Sequence, residues 1–160
     1  MPWHTPERKC EQALKTYLET VLSYEIAGVQ IATRFSNADL TEPRIEIFCG
    51  SCQPWEEATT PYTGNWMCEV TLRVVSHYAP GVDAVTHDNY VGELLDKFLL
   101  RDDVTGAEAA TTEINATLYD VDLELIQLDV GARTNTTDEH SLVTEQELVL
   151  YVKPSNQGDI

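Results

Sequence analysis

Residues 66–78, WMCEVTLRVVSHY, decide the fold, because apolar and polar side chains alternate along most of this stretch. The even positions from Trp66 to Val74 are apolar, and most of the odd positions carry polar side chains, namely Glu69, Thr71, Arg73 and His77. Successive side chains of a strand point to opposite faces of the sheet. This period of two therefore predicts a strand from Trp66 to Tyr78, with one face in a hydrophobic core.

A second strand precedes this one and is predicted to form a hairpin with it. Residues 44–49, RIEIFC, place Ile45, Ile47 and Cys49 on one side. The intervening residues 50–65 have no helical pattern and contain residues typical of loops, Gly50, Pro54, Pro61 and Gly64. We therefore predict an antiparallel hairpin with a long tip.

Two amphipathic helices are predicted, one before and one after this hairpin. Residues 5–23 begin with Thr5 as the N-cap and Pro6 at the first helical position. Apolar side chains then recur at helical spacing, at Cys10, Leu14, Tyr17, Leu18, Val21 and Leu22. Residues 83–100 carry a similar stripe, at Val91, Leu94, Leu95, Phe98 and Leu99. The residues between 23 and 44 are predicted to be a variable connection.

The C-terminal part of the chain is predicted to be a second hairpin. Leu118 to Val130 and Leu142 to Lys153 have the composition of strands, and residues 131–141, GARTNTTDEHS, are polar and turn-rich. Pro154 ends the last strand, and residues 155–160 are predicted to be a frayed tail.

These elements predict an α+β fold in a single domain spanning residues 1–160. Its sheet, antiparallel or mixed, consists of two long hairpins, with the two amphipathic helices packed on one face. A polar segment, residues 101–112, connects the second helix to the second hairpin and has a helical turn near residues 108–110. Both hairpin tips are long for their strands, and long tips on a rigid sheet are typical of contact regions.

The charge of the chain restricts its partners. The 27 Asp and Glu residues against 10 Lys and Arg give a formal net charge of −17. Nucleic-acid binding through the general surface is excluded, since it needs clustered basic residues. The simplest interpretation is solubility; a more specific one is that an acidic surface lets DNA pass without adhering. No apolar run reaches the roughly 20 residues of a membrane span, and MPWHTPERKCEQ has no apolar region of a secretion signal. We expect a cytosolic chain with four reduced cysteines.

The motif Cys49-x-x-Cys52 admits three interpretations. A thiol–disulfide enzyme places this motif at the N-terminus of a helix, which lowers the pKa of the first thiol. Residues 53–57 could open a helix, but Pro61 would end it, and the carboxylates of Glu56 and Glu57 would raise a thiol pKa. Redox catalysis is therefore disfavoured.

Zinc is the second interpretation, and it needs four ligands. Cys68 is a candidate third ligand across the hairpin, but no second Cys-x-x-Cys or His-x-x-x-His pair exists. The four histidines are dispersed, at His4, His77, His87 and His140. The third interpretation, that these cysteines are small apolar residues of a strand and its turn, is favoured over both.

Other groups carry weaker signals. Asp120, Asp122 and Glu124 would share one face of a strand and could hold a hard cation, but a solvated face is favoured. Three aromatic residues surround the first hairpin tip, Trp55, Tyr62 and Trp66, and favour a contact with a partner protein. No nucleophile elbow or phosphate-binding loop is present. We therefore expect no enzyme and assign no catalytic, cofactor-binding or metal-binding residue.

The order of the elements resembles the small neck proteins of tailed bacteriophages, in particular tail terminator (tail completion) proteins. The similar parts are the N-terminal helix, PRIEIFCGSCQPWEE and TGNWMCEVTLRVVSHYA, the helix DAVTHDNYVGELLDKFLL, and the paired strands LYDVDLELIQLDVG and EQELVLYVKP. The resemblance covers residues 8–154.

This resemblance implies a structural virion protein assembled in the host cytoplasm. It implies a ring, usually a hexamer, that ends the tail tube and contacts both the tail tube protein and the head-to-tail connector. DNA would pass through the lumen without specific binding, and no membrane would be involved. Head-closure and connector proteins remain alternatives within the neck. Outside it, the alternatives are a thiol-redox or zinc-binding protein built on Cys49 and Cys52, and a non-viral adaptor that binds a protein through the aromatic loop.

Overall fold

The computed structural model describes residues 4–22, 29–35, 39–54, 65–77, 83–93, 114–138 and 140–155. In chain order, these residues form helix α1 (Pro6–Leu22), strands β1 (Gln30–Thr33), β2 (Arg44–Pro54) and β3 (Trp66–His77), helix α2 (Asp83–Val91), and strands β4 (Leu123–Thr137) and β5 (Ser141–Pro154). A short helix over residues 114–119 precedes β4.

The five strands form one sheet in the order β1-β2-β3-β5-β4. β3 lies at the centre and pairs antiparallel with β2 and β5, and β4 pairs antiparallel with β5 at one edge. At the other edge, β1 runs parallel to β2. The fold is therefore α+β, as predicted, and its sheet is mixed because of β1. This strand of four residues lies in the segment that was predicted to be a connection.

Both helices pack against the same face of the sheet, as predicted. Four apolar side chains of β3 face the helices and are at most 1% exposed, namely Cys68, Val70, Leu72 and Val74. The apolar stripe of α1 is buried against this face in one continuous core, at Cys10, Leu14 and Leu18. Burial of each such Leu or Val contributes about 1.5–3 kcal/mol to stability. The alternation that predicted β3 is thus the alternation between its buried and exposed faces.

The first hairpin is longer than predicted. Residues 50–54 were predicted to be loop, but they continue β2, and the ladder with β3 ends where Pro54 pairs with Trp66. Pro54 is tolerated because it occupies the last pair of the ladder. The predicted tip, residues 55–64, and Tyr78 lie outside the described residues.

The second hairpin differs from the prediction at both ends. Leu118 does not start the strand; it is buried at the end of the short helix, and β4 begins only at Leu123 after a turn in which Asp122 has a φ of 66°. Residues 131–137 were predicted to be a long tip, but they extend β4. The turn is short, and Asp138 Oδ1 closes it by accepting hydrogen bonds from the His140 and Ser141 N–H groups at 2.8 and 2.6 Å. A strand at a sheet edge has little surface to bury, so this polar segment needs no apolar alternation.

Three other predictions fall partly outside the described residues. Helix α2 is α-helical as far as Val91, and residues 94–100, which hold the rest of its predicted stripe, are not described. The predicted helical turn at residues 108–110 is not described either. At the C-terminus, Ser155 is not frayed, because its N–H donates a hydrogen bond to the Asp122 carbonyl at 3.1 Å. The single domain for the whole chain stays a prediction.

Candidate functional site

All four cysteines of the chain meet at one place in the core. Cys10 comes from α1, Cys49 and Cys52 come from β2, and Cys68 comes from β3. The Sγ atoms of Cys49, Cys52 and Cys68 lie within 4.8 Å of one another, and those of Cys49 and Cys52 are 3.5 Å apart. The Cys10 thiol lies next to the thiols of Cys49 and Cys68. We call these four residues the thiol cluster.

A β-bulge at Gly50 makes the thiol cluster possible. In a regular strand, residues three apart point to opposite faces, so Cys49 and Cys52 would be separated by the sheet. The register shifts between Cys49 and Ser51, which leaves Gly50 without a partner on β3. Cys49 then pairs with Val70 and Cys52 pairs with Cys68, so both thiols lie on the face that α1 covers. An extra residue of this kind re-aims the side chains that follow it.

The four thiols of the cluster differ in pKa because they interact with one another. The pKa of Cys49 lies far below its ordinary value, because the thiols of Cys10, Cys52 and Cys68 hydrogen-bond to its sulfur. The pKa values of Cys10 and Cys52 are raised, chiefly by the hydrogen bond to Cys49. That of Cys68 is raised by its hydrogen bonds to Cys10, Cys49 and Cys52.

A buried carboxylate lies beside the cluster. Glu11, one residue after Cys10 on α1, is fully buried. Its Oε2 accepts a hydrogen bond from the Cys49 N–H at 3.0 Å, and its Oε1 accepts one from the Arg34 N–H at 3.1 Å. The Arg34 Nε lies 2.9 Å from Oε2. Burial raises the pKa of Glu11, against the opposing effect of these donors. Glu11 thus joins α1 to the residue that follows β1 and to the middle of β2.

Cationic and aromatic side chains cover this corner of the molecule. The Arg34 guanidinium lies over the rings of Phe35 and Phe48, at 4.9 and 5.2 Å from their centroids. Arg8 of α1 lies over the Phe35 ring at 5.4 Å. Both rings are more than two-fifths exposed. We call these four residues the basic-aromatic surface. Exposed aromatic and arginine side chains of this kind are enriched in protein interfaces.

The opposite edge of the sheet has the reverse charge. Residues 120–138, which include β4, carry five carboxylates and a single basic residue, Arg133. Ile126 and Val130 are exposed there, at 43% and 41%. β4 pairs with β5 on one side, and no described strand pairs with its other side; the Asn115 side chain accepts a hydrogen bond from the Leu125 N–H at 2.8 Å. We call residues 120–138 the acidic edge.

The predicted carboxylate group does not form on one strand face. Asp120 and Asp122 lie in the turn before β4, whereas Glu124 is on the strand and contacts the Lys153 ammonium at 3.7 Å. Among the described residues, only Cys49, Cys52 and Cys68 form a group of three or more side chains with metal-binding spacing.

The remaining candidates are placed as follows. The Cys-x-x-Cys motif lies inside β2 and not at the start of a helix, so the thiol–disulfide arrangement is not formed. His87 is buried in α2, and His77 is exposed near Glu42. Trp66 is half-buried at the start of β3, and Trp55 and Tyr62 lie outside the described residues. No helix within the described ranges is long and apolar enough to cross a bilayer.

Sequence reasoning missed two members of this site. Cys10 was correctly placed on the buried face of α1, but its proximity to the other thiols depends on how α1 lies across the sheet. The sequence did not indicate that Glu11 is buried, because a glutamate next to the apolar stripe of an amphipathic helix is ordinarily exposed. A glycine inside a β-strand is the one local sign of the bulge at Gly50.

Comparison with known proteins gives little further information. No protein-family model matches the chain, and no curated protein matches it. Among solved structures, the chain is similar to one from a structure titled "Virion of native gene transfer agent (GTA) particle". The identity is 10%, the alignment covers 89% of this chain and 93% of that chain, and the TM-score is 0.45.

Proposed function

We propose that this protein is a non-catalytic structural component of the neck of a tailed-phage virion, a tail terminator. In this role it forms a ring, a hexamer in the arrangement that the resemblance implies, that ends the tail tube and contacts the head-to-tail connector. The observation that carries the proposal is that, among the described residues, the sheet has two open edges of unlike chemistry. A ring of identical subunits needs two such surfaces on each subunit.

The first open edge is β4. It is fifteen residues long, and its outer backbone groups have no partner strand among the described residues. A long open edge is a template for pairing with another chain, and a monomer usually protects it with lysine, proline or a short strand. β4 is partly protected by two register irregularities, between Leu125 and Gln127 and between Val130 and Arg133, but its exposed side chains include Ile126 and Val130.

The second open edge is formed by β1 and the later part of β2. β1 pairs with β2 only from Arg44 to Ile47, so residues 48–54 have no strand partner on that side among the described residues. The basic-aromatic surface lies at this edge. Four of the ten basic residues of the chain lie in α1 or just after β1, at Arg8, Lys9, Lys15 and Arg34.

The two edges are complementary. The acidic edge offers carboxylates and two exposed aliphatic side chains, and the basic-aromatic surface offers two guanidinium groups and two exposed rings. Charge complementarity raises the rate and the specificity of association. The edges are separated by four strand spacings of about 4.8 Å each. A contact between the acidic edge of one subunit and the basic-aromatic surface of the next is heterologous, and such contacts form rings when the rotation closes.

The net charge of −17 fits the same role. A lumen lined by carboxylates repels the phosphates of DNA, so DNA can pass without being held. Binding of DNA by the protein would instead require the release of counterions by clustered basic residues.

Purified phage particles provide the test. Peptide mass spectrometry is expected to find the chain in intact particles, and cryo-electron microscopy is expected to place it as a ring between head and tail. Genes for a portal, capsid and tail tube next to its own gene are expected as well. Absence of the chain from particles and from such a gene neighbourhood would contradict the proposal and favour a non-viral adaptor.

A further inference from the structure

We propose that Cys10, Cys49, Cys52 and Cys68 together bind one Zn²⁺ ion in a closed structural site. The ion would join α1 to the β2–β3 hairpin in the core of the domain. This inference does not rest on the neck function and stands or falls separately from it.

The spacing of the thiols fits a single zinc ion. Zn–S bonds of about 2.3 Å in tetrahedral geometry place the ligand sulfurs about 3.8 Å apart. The Sγ atoms of Cys49 and Cys52 are 3.5 Å apart, and Cys68 is within 4.8 Å of both. Cys10 is outside this group of three, but its thiol lies next to those of Cys49 and Cys68, and we assign it as the fourth ligand. The sequence pattern indicated three cysteine ligands and no fourth, and this was the reason for disfavouring a zinc site.

Other uses of the four cysteines fit less well. A disulfide needs its sulfurs at about 2.05 Å, well below the separation of Cys49 and Cys52. Cysteines that serve only as small apolar core residues do not have to lie next to one another. In this chain, however, all four cysteines lie together. The bulge at Gly50 brings Cys49 and Cys52 to one face, where a regular strand would separate them.

Four thiolates and one Zn²⁺ carry a net charge of −2, which is costly to bury. The Glu11–Arg34 ion pair beside Cys49 is neutral overall, so it orients the site and does not neutralise it. Glu11 holds the Arg34 guanidinium and accepts the hydrogen bond of the Cys49 N–H, so it orients both. Such outer contacts fix the positions of ligands in metal sites.

The site is structural in character. All four ligands come from the protein, which leaves no open position for water or substrate. The ligands come from segments that are distant in sequence, with Cys10 on α1 and Cys68 on β3. Because the unfolded chain lacks a formed site, the free energy of metal binding adds to the stability of the fold.

The test uses the untagged wild-type protein. Elemental analysis is expected to find one zinc per chain. Removal of zinc with a chelator is expected to lower the melting temperature by roughly 10 °C, and addition of zinc chloride is expected to restore it. Replacement by Co²⁺ is expected to give the visible absorption of tetrahedral thiolate coordination.

Two variants distinguish the loss of a zinc ligand from the loss of packing in the hydrophobic core. Cys52→Ser changes the ligand that is half-exposed, so it disturbs the core least. It is expected to lose the zinc-dependent rise in melting temperature. Val70→Ala, next to the cluster on β3, is the matched control, because it removes buried volume but no ligand. It is expected to melt at a lower temperature and to keep one zinc per chain.

Four results would overturn the proposal. The first is a wild-type protein without metal whose melting temperature is unchanged by zinc chloride. The second is iron together with acid-labile sulfide. The third is an intact mass that shows a disulfide in freshly purified protein. The fourth is undiminished zinc binding by Cys52→Ser. If the variant fails to fold, the removal and return of zinc in the wild-type protein still decides.

Discussion

The Glu11 carboxylate accepts the backbone N–H of Cys49 at 3.0 Å and so takes the place of a strand partner at the edge of β2. β1 pairs with β2 only up to Ile47, and the N–H of Cys49 lies just beyond this pairing. The other carboxylate oxygen accepts the N–H of Arg34, the residue that follows β1. A helix side chain thus continues the hydrogen bonding of a strand that has ended.

Glu11→Ala is therefore expected to destabilise the protein. The substitution leaves the Cys49 N–H buried without its acceptor, which costs about 1–3 kcal/mol. The ion pair with Arg34 adds less, because that side chain is 37% exposed and water screens it. Urea unfolding measures the difference. Glu19→Ala, at an exposed position on the same helix, is the control and is expected to change little. Equal unfolding midpoints for the two variants would contradict the role of Glu11.

His87 is expected to make stability depend on pH. Its Nδ1 lies 2.6 Å from Ser76 Oγ, and its Nε2 lies 2.9 Å from Thr144 Oγ1. The Thr144 hydroxyl donates to Asn135 Oδ1, so it accepts from Nε2–H. In the neutral ring, Nδ1 then accepts from the Ser76 hydroxyl. Burial lowers the pKa of His87, and the charge of Asp88 opposes this effect only in part.

The sign of the effect follows from the lowered pKa. The unfolded chain takes up a proton near pH 6.5, whereas the folded protein does so only at a lower pH. The contribution of His87 to stability is thus fully present above about pH 6.5 and is lost as the pH falls through the folded pKa. Urea midpoints between pH 7.5 and 5 measure it. His87→Gln is expected to reduce the slope, and His77→Gln, at an exposed position, is the control. A slope that is the same in wild type and His87→Gln would refute this assignment.

Leu72→Asp is expected to unfold the domain. Leu72 is fully buried at the centre of β3, and an unpaired charge there has no partner. Circular dichroism and thermal melting measure the loss. Thr71→Asn changes the neighbouring residue on the other face and is expected to keep the fold. Unchanged melting of Leu72→Asp would show that the central strand is placed wrongly.

Added salt is expected to stabilise the protein. Its net charge of −17 destabilises the compact state by self-repulsion, and salt screens this repulsion as the Debye length falls from about 10 Å at 0.1 M to 3 Å at 1 M. Melting temperatures in increasing sodium chloride at pH 7 are expected to rise by several degrees. Near the sequence pI of about 4.3 the rise is expected to vanish. A melting temperature that falls with salt at pH 7 would contradict this explanation.

The sequence predicted those parts of the fold in which local pattern and burial agree. The alternation of β3 and the stripe of α1 each reflect one buried face, and both elements were placed to within a residue. β4 was misplaced, because its polar C-terminal half lies at an edge and carries no burial pattern. Leu118 has the character of a strand residue, but a turn at Asp122 separates it from β4.

The candidate site was predictable only in part. Cys49, Cys52 and Cys68 were recognised as a possible ligand set from the hairpin alone. Cys10 could not be added, since the contact depends on how α1 crosses the sheet. The edge surfaces were not predicted either. Arg8, Arg34 and Phe35 meet only because β1 brings the residues that follow it next to α1.

Single substitutions at the two edges are expected to block self-association. Val130→Lys places a cation on the acidic edge, where it would face Arg8 and Arg34 of the next subunit. Phe35→Glu removes an exposed ring from the basic-aromatic surface and places a carboxylate there, where it would face the acidic edge of the next subunit. Val85→Lys is the matched control, since Val85 is 66% exposed on α2, away from both edges. Light scattering on concentrated protein is expected to show assembly for wild type and Val85→Lys only.

Mixing the two edge variants tests the unlike-edge contact most directly. Val130→Lys keeps an intact basic-aromatic surface, and Phe35→Glu keeps an intact acidic edge, so one chain of each can join through a single contact. Light scattering on the equimolar mixture is expected to give twice the monomer mass and no larger species, while each variant alone stays monomeric. A mixture that stays at the monomer mass, or either variant alone assembling as wild type does, would contradict ring assembly through these two edges.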